Sequence, residues 1–407
     1  MGVYREKNRR RDEIIKGDLE MILYLSSLLE DGAFASFVRS GNIKGGHQAQ
    51  RFNSLVARGL SCATRVVAIS NPPYNNAFGG VKALCAERDN IKYISVSSNN
   101  SRLHKLKNFT EMRGYIKKEL RGKTLEAVVC DAINPLASLN AIRVAKKKMV
   151  PAIAIVTDIP EYMSRGKKGI FIRLTSYLMK KYDGYVLLTE AMNELVNPRN
   201  APYIVMEGLC ESGKDPAEAK QGNQDRALTC LYTGSLNDGT GIEELVCAIS
   251  LMKSSDIELK IYGNGKLADW IAERGKTDRR IGYCGIVTNA EAVQAQMDAD
   301  LLINPRPDDI AYRNVSFPSK VMEYMASGTP LLTTKLPGIP KEYFDYLYTI
   351  DDCSAEGIAK AISDVTSRSA EEREDMGKRA REFVLREKNN VKQAERIMAL
   401  IEEIRNK

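Results

Sequence analysis

Short apolar runs of strand character alternate with stretches of helical periodicity along the chain, and the alternation breaks off once before starting again. In the first half the strand candidates are 21–25 (MILYL), 65–69 (RVVAI), 92–96, 125–130, 152–156 and 185–188. Helical patterns run through 48–56, 106–120, 136–148 and 170–181. Parallel strands need long crossovers, usually helical, so this order predicts a parallel sheet with helices on both faces. The stretch around 207–226 is polar, carries Gly213 and Gly222, and lacks apolar periodicity, as a linker should. Strand candidates return at 228–233, 258–262, 280–284, 301–303 and 331–333. The expected fold is α/β with two Rossmann-like domains, 1–208 and 227–385, a linker at 209–226, and a charged terminal helix over 386–407. A chain of 407 residues can bury two separate cores. Residues 1–18, polar and basic at Arg9-Arg10-Arg11, are expected to form an arm or a short helix.

Charge is spread unevenly. Residues 1–208 hold 33 basic and 19 acidic side chains and the remainder holds 27 and 33, within a net charge of +8. The first half therefore favours an anionic partner: a membrane surface, nucleic acid or a phosphorylated substrate. Arg165, Lys167, Lys168, Arg173, Lys180 and Lys181 interleave with Ile170, Phe171, Ile172, Leu174 and Leu178, and Arg143 with Lys146-Lys147-Lys148 adds to them. Such a basic amphipathic stretch suits an anionic lipid surface, although a solvated helix face would read the same. No aromatic-basic platform for nucleic acid accompanies it, and none is expected as a partner. No apolar run approaches the roughly 20 residues that a spanning helix needs. The eight cysteines stand singly, without C-x-x-C spacing, and only His47 and His104 could join them. No metal site is expected, and reduced thiols in a cytoplasmic protein are the simplest account.

The stretch from Ser316 to Leu332, SFPSKVMEYMASGTPLL, holds the densest chemistry. Ser316 is a candidate N-cap, and Pro318 suits a first helical turn, where its missing N–H costs nothing. Val321, Met322, Tyr324 and Met325 give a short helix apolar faces. Ser327-Gly328-Thr329-Pro330 stops it, and Leu331-Leu332-Thr333-Thr334 follows as a buried strand. The turn before such a helix aims several N–H groups at one point, with the positive end of the dipole behind them, and suits a phosphate group. Lys320 in that turn adds a full charge, and Glu323 one turn on can accept hydrogen bonds from a ribose diol. An ordinary helix start in an α/β protein would carry many of the same residues.

This stretch resembles the donor-binding motif of the retaining glycosyltransferases of family 4, which have the GT-B fold. In that family a Glu, seven residues and a second Glu precede Gly-x-Pro and an apolar strand. Glu323 matches the second Glu and Ser327 to Leu332 the stop and strand, while Val315 stands at the first Glu. Phe317-Pro318-Ser319-Lys320 is similar to an F-P-S-K subgroup common among polysaccharide-building enzymes. The resemblance implies two parallel sheets facing across a cleft, with the terminal helix crossing back to the first domain. It implies sugar transfer from a nucleotide diphosphate sugar to a saccharide or lipid-linked acceptor with retention, in polysaccharide or glycoconjugate biosynthesis. The implied place is cytoplasmic and peripheral at the inner face of the cell membrane. No cofactor, metal or protein nucleophile is implied.

Residue by residue, the resemblance implies catalytic roles for Lys320, Asp158 and Glu323. It implies donor contacts at Gly234, Ser235, Gly263, Ile286, Ser316, Phe317, Pro318, Ser319, Lys320 and Glu323. Members of the family usually carry an Arg and a Lys where Ser235 and Thr240 stand, so Arg306, Arg313 or Lys320 must supply the charge, Lys320 first. Tyr283-Cys284-Gly285-Ile286-Val287 resembles the base-binding turn, where main chain at Ile286 or Val287 pairs with the nucleobase. In the first domain Gly45, Gly46 and His47 resemble the acceptor-side Gly-Gly loop, and Asp158 follows a strand where many relatives carry a His. A surface loop and a capping Asp would look alike in sequence. One rival is a non-catalytic GT-B subunit that binds a sugar nucleotide or a partner enzyme, suggested by the missing Arg, Lys and first Glu. Another is a nicotinamide-dependent oxidoreductase, which the lack of a G-x-G-x-x-G turn after the first strand disfavours.

Overall fold

The computed structural model describes residues 20–39, 47–71, 83–97, 102–163, 169–212, 226–307 and 315–407. The N-terminal arm, Gly45, Gly46, Arg165, Lys167, Lys168, Arg313 and most of the expected linker lie outside the described residues. The chain divides into two units, Met1–Leu209 with Asn390–Lys407, and Cys210–Asn389.

In the first unit the strands are β1 (Met21–Ser26), β2 (Arg65–Ser70), β3 (Leu84–Arg88), β4 (Ile91–Ser95), β5 (Leu125–Asp131), β6 (Ala152–Val156), β7 (Gly184–Leu187) and β8 (Tyr203–Val205). They form one sheet in the order β3-β4-β2-β1-β5-β6-β7-β8. Every pair is parallel except β3 with β4, which Asp89 and Asn90 join through two positive φ angles of 50° and 63°. That backbone is the hairpin turn whose twist matches its strands. β3 lies on the exposed edge and carries no apolar run, and β8 has three residues, so periodicity shows neither. The helices are α1 (Asp31–Arg39), α2 (His47–Ser61), α3 (Arg102–Glu119), α4 (Pro135–Lys148), α5 (Pro160–Met163), α6 (Ile170–Met179) and α7 (Ala191–Val196). Asn134 caps α4, its side chain accepting from the N–H of Leu136 and Ala137.

The second unit has β9 (Leu228–Ser235), β10 (Ile257–Asn264), β11 (Ile281–Gly285), β12 (Leu301–Asn304), β13 (Leu331–Thr334) and β14 (Tyr348–Ile350). Their order is β11-β10-β9-β12-β13-β14, all parallel. Its helices are α8 (Ile242–Leu251), α9 (Ala268–Thr277), α10 (Asn289–Asp298), α11 (Ser319–Ser327), α12 (Ala355–Thr366) and α13 (Ala370–Glu387). One face of the sheet is covered by α8, α9 and α12 through Ile242, Leu245, Ile249, Ile271, Ile358 and Ile362. The other is covered by α11 and α13 through Val321, Tyr324, Met325, Ala380, Phe383 and Val384. In both sheets the strand order reverses once, at β1/β5 and at β9/β12, and ligands of such sheets bind beyond the carboxyl ends there.

The last helix, α14 (Asn390–Arg405), is part of the first unit and starts at Asn390 rather than at 386. The backbone breaks at Lys388, whose carbonyl oxygen accepts the Cys210 N–H at 3.0 Å. Leu209 and Cys210, expected within a polar linker, are buried, and Cys210 pairs with Asn389 as an isolated parallel bridge. Ile397, Leu400 and Ile401 of α14 share a core with Ile22, Tyr24 and Leu60. Gly59 in α2 allows the close approach, because a β-carbon there would overlap the Asn390 carbonyl oxygen and stand 3.0 Å from Ala394 Cβ.

Two effects oppose each other in Gly59→Ala. Helix propensity favours alanine by about 1 kcal/mol, whereas overpacking against a fixed carbonyl costs about 1–3 kcal/mol or more. We expect net destabilisation of about 1–2 kcal/mol in a guanidinium titration. An unchanged or raised midpoint would mean that α14 does not seat on α2 in this way.

Candidate functional site

At the reversal point of the second sheet, β9 and β12 separate. Their ladder reaches Leu231 and Leu302, and β9 runs on through Tyr232, Thr233, Gly234 and Ser235. The side of Thr233 that turned toward β12 must find other partners. Tyr324 of α11 supplies them: its hydroxyl accepts the Thr233 N–H at 2.8 Å and donates to the Thr233 carbonyl at 3.1 Å. Burial holds this phenol protonated, far above its usual range, so it stays a donor.

Thr233 is the hub of a polar network. Its Oγ1 lies 3.1 Å from Tyr324 Oη, 3.2 Å from Gln296 Nε2 and 3.4 Å from Lys320 Nζ. With both lone pairs taken by Gln296 and Lys320, the Thr233 hydroxyl proton is left for Tyr324. Gln296, from α10, also donates to Glu323 Oε1 at 2.6 Å. Lys320 and Glu323 are thus brought together, three residues apart on α11 and linked through Thr233 and Gln296.

The Lys320 side chain runs over Gly234. A β-carbon on Gly234 would stand 2.5 Å from Lys320 Cε and 3.2 Å from Nζ, so only glycine leaves that path open. The ammonium sits 5.7 Å from the centre of the Tyr324 ring. Burial lowers the Lys320 pKa and the Glu323 charge partly restores it. Among the described residues Lys320 forms no ion pair. Gly263, beside Gly234 in the ladder, has φ 147°, and a β-carbon on it would overlap the Gly234 carbonyl oxygen.

Pro318, not Ser316, holds the N-cap position of α11, and no side chain caps that end. The reason lies in Phe317, which is buried with its ring 5.5 Å from Tyr343, so the segment is pinned and the helix begins at Ser319. Phe317 and Pro318 are therefore core residues that aim this helix end, while Ser316 is half-buried and Ser319 exposed. Ser235 is exposed and its Oγ accepts from Asn237 Nδ2 at 2.7 Å, within a loop that Thr240 closes by donating to the Asn237 carbonyl. Arg306, after β12, is close enough to act on Tyr232, whose hydroxyl burial pushes up to about 12 and which Thr240 and Arg306 draw back. Ile286 follows Gly285 (φ 76°) at the end of β11 and is 71% exposed.

The remaining expected residues belong to the first unit. Asp158, half-buried after β6, accepts the Ile159 N–H at 2.8 Å, and burial raises its pKa against that hydrogen bond. The bond is to the very next residue, not to the N–H two or three residues on that a capping Asp would take, and it uses one carboxylate oxygen. His47 opens α2, and Gly45 and Gly46 lie outside the described residues. Among the described residues no three His, Cys, Asp or Glu side chains gather to hold a metal ion.

Sequence reasoning passed over Thr233, Gln296 and the hydroxyl of Tyr324. No local pattern marks Gln296, whose full burial on α10 only the structure shows.

Residues 227–368 match the protein family described as glycosyl transferases group 1. No curated protein sequence matches the chain. Sucrose-phosphate synthase from Thermosynechococcus elongatus superposes with a TM-score of 0.65 at 13% identity, covering 95% of this chain and 100% of that one. HepE from Anabaena, solved in complex with UDP, gives 0.64 at 11% identity over 94% and 100%. A glycosyltransferase from Rickettsia africae gives 0.62 at 14% identity over 95% and 98%. At these identities the likeness is one of fold. The chain has the GT-B architecture of two parallel-sheet units, and its second unit carries a glycosyl transferases group 1 match over 227–368.

Proposed function

We propose that the protein transfers a sugar from a nucleotide diphosphate sugar to a saccharide or lipid-linked acceptor, with retention, in polysaccharide or glycoconjugate assembly. The observation that carries this reading is Lys320, a half-buried cation without an ion pair among the described residues, in the first turn of α11 at the reversal point of the sheet. A cation a few ångströms from a diphosphate contributes on the order of 1–4 kcal/mol in a partly wet site. As the bond from the sugar C1 to the phosphate oxygen breaks, negative charge grows on the leaving diphosphate. Lys320 and the positive end of α11 are oriented before that happens, which is where electrostatic catalysis is most effective. The acceptor oxygen bonds to C1 on the face that the diphosphate leaves, and its proton passes to the departing phosphate oxygen. No side chain is assigned as nucleophile, and no cofactor or metal is assigned a step.

In this reading Glu323 takes the ribose diol, main chain of 316–319 with Gly234, Ser235 and Gly263 lies along the diphosphate, and main chain at Ile286 pairs with the base. Asp158 orients the acceptor hydroxyl, and Gly45, Gly46 and His47 line its approach. HepE has been solved with UDP and glucose, and an E. coli trehalose-6-phosphate protein with UDP-2-fluoro glucose, so UDP-glucose is the first donor to try. A non-catalytic sugar-nucleotide-binding subunit is the second reading, favoured by Ser235, Thr240 and Val315 standing where charged residues are usual. Slow hydrolysis of a donor sugar by the purified protein separates the two.

The same reading sets the first unit against anionic lipid at the inner face of the cell membrane. Met149 at the end of α4 is 92% exposed and Ile170 at the start of α6 80% exposed, with Phe171 and Tyr177 also exposed. On the same helices or just beyond them Lys146, Lys147, Lys148, Arg173, Lys180 and Lys181 are all exposed, and α4 packs against α6. Exposed apolar side chains with exposed cations on the same two helices suit a lipid headgroup region, at about 1 kcal/mol per cation. Among the described residues no helix is long and apolar enough to cross a membrane.

Lys320→Met is expected to lower turnover at least a hundredfold and to weaken binding of uridine diphosphate about tenfold. The same variant should be more stable by about 1 kcal/mol at neutral pH, because burial of the ammonium opposes folding. Since the Lys320 pKa is lowered below 10.5, the unfolded chain holds this proton more tightly than the folded one. That opposition fades as pH rises from the lowered value to 10.5, so the stability gap should close over that window. Retained turnover would remove the role of Lys320. Separately, wild type should sediment with phosphatidylglycerol vesicles and be released by salt, and Ile170→Ser with Phe171→Ser should stay in the supernatant. Equal sedimentation of the two would remove the lipid-facing assignment.

A further inference from the structure

Gln296 is fully buried, yet among the described residues its Oε1 has no hydrogen-bond partner. An unpaired buried acceptor costs about 1–3 kcal/mol, and each such atom in a folded protein calls for a reason. The reason lies on the other side of the amide. Its two Nε2 hydrogens are divided between Glu323 Oε1 at 2.6 Å and Thr233 Oγ1 at 3.2 Å. Turning the amide over would set its oxygen against a carboxylate, so the orientation follows from the partners. The backbone around Gln296 is also fixed, because its own carbonyl accepts the Thr329 hydroxyl at 2.7 Å just beyond α11.

We propose that Gln296 is a positioning residue for Glu323, fixing one carboxylate oxygen against the end of β9 so that the other is held toward the ribose diol of the nucleotide. The proposal rests on the donor-binding reading of this site. A leucine or methionine in this position would fill the space and leave no orphaned acceptor, but it would strip Glu323 Oε1 and Thr233 Oγ1 of their donor, so the amide is explained by the two partners it holds. A neutral amide donates twice without setting a second negative charge beside Glu323, which a glutamate could not do. Glu323 touches the nucleotide; Gln296 acts through it. The long carboxylate side chain has three torsions to order on binding, and tying one oxygen down beforehand removes much of that cost.

The readout is the preference for ribose over deoxyribose, which a packing role would leave unmoved. Binding of uridine diphosphate and 2′-deoxyuridine diphosphate is measured by calorimetry for wild type, Gln296→Met, Gln296→Asn and Glu323→Ala, with inorganic pyrophosphate as control. Wild type is expected to prefer the ribonucleotide roughly tenfold, the worth of one good hydrogen bond to a charged group. Glu323→Ala should erase that preference. Gln296→Met should bring the ratio to within about twofold of Glu323→Ala and bind pyrophosphate like wild type, even if its melting temperature falls with the two lost hydrogen bonds. Gln296→Asn, too short to reach Glu323, should behave as Gln296→Met does and serves if the methionine variant does not fold. A preference present in wild type and unchanged in Gln296→Met overturns the role of Gln296 alone. A wild type without any preference overturns the assignment of Glu323, and that of Gln296 with it.

Discussion

The second unit depends on one phenolic hydroxyl. A parallel sheet that splits at its reversal point must leave N–H and C=O groups facing the gap, and unpaired groups there would each be costly. In this protein the gap beside Thr233 is filled by Tyr324, which completes the missing ladder contact from a helix. Because Tyr324 sits on α11, the same bond fixes where that helix starts. Lys320 is one turn before it and Glu323 is adjacent, so both side chains inherit their position from a backbone need. The aromatic stack behind it, Phe317 on Tyr343 and Tyr343 on Phe383, holds the entry segment from the other side.

A tension in energy runs through this region. Lys320 is held in a place that lowers its affinity for a proton, Gln296 keeps an acceptor unsatisfied, and Gly234 and Gly263 sacrifice chain stiffness to close approach. Each choice weakens the folded state relative to an apolar alternative. They are concentrated at one end of one sheet, the end that carries the candidate site. The opposite face of the same sheet is filled by apolar side chains of α8, α9 and α12.

Much of this fold is legible in the sequence because the strands are buried on both faces. A run such as MILYL in β1 or AIAIV in β6 has no alternative but a central parallel strand, and both lie where expected. What escapes is local. β3 is an edge strand with a solvated face, and only the turn pair Asp89-Asn90 betrays it. The N-cap of α11 shifts from Ser316 to Pro318 because a buried phenylalanine, not a side-chain hydrogen bond, decides where the helix begins. At the site, Lys320 and Glu323 could be named from motif and chemistry. Thr233 and Gln296 could not, since their roles come from contacts across dozens of residues that no local pattern encodes.

The seating of α14 against Gly59 has a consequence for how the protein comes to be made. Ile397, Leu400 and Ile401 close a core otherwise built from residues translated before the whole second unit. On the ribosome that core must wait, its apolar floor at Ile22 and Leu60 uncovered, until the intervening unit has emerged and α14 follows it. Order of synthesis and order of completion are therefore reversed. The unit whose strands come earlier in the chain is the later one to be sealed, its apolar surface open in the interval.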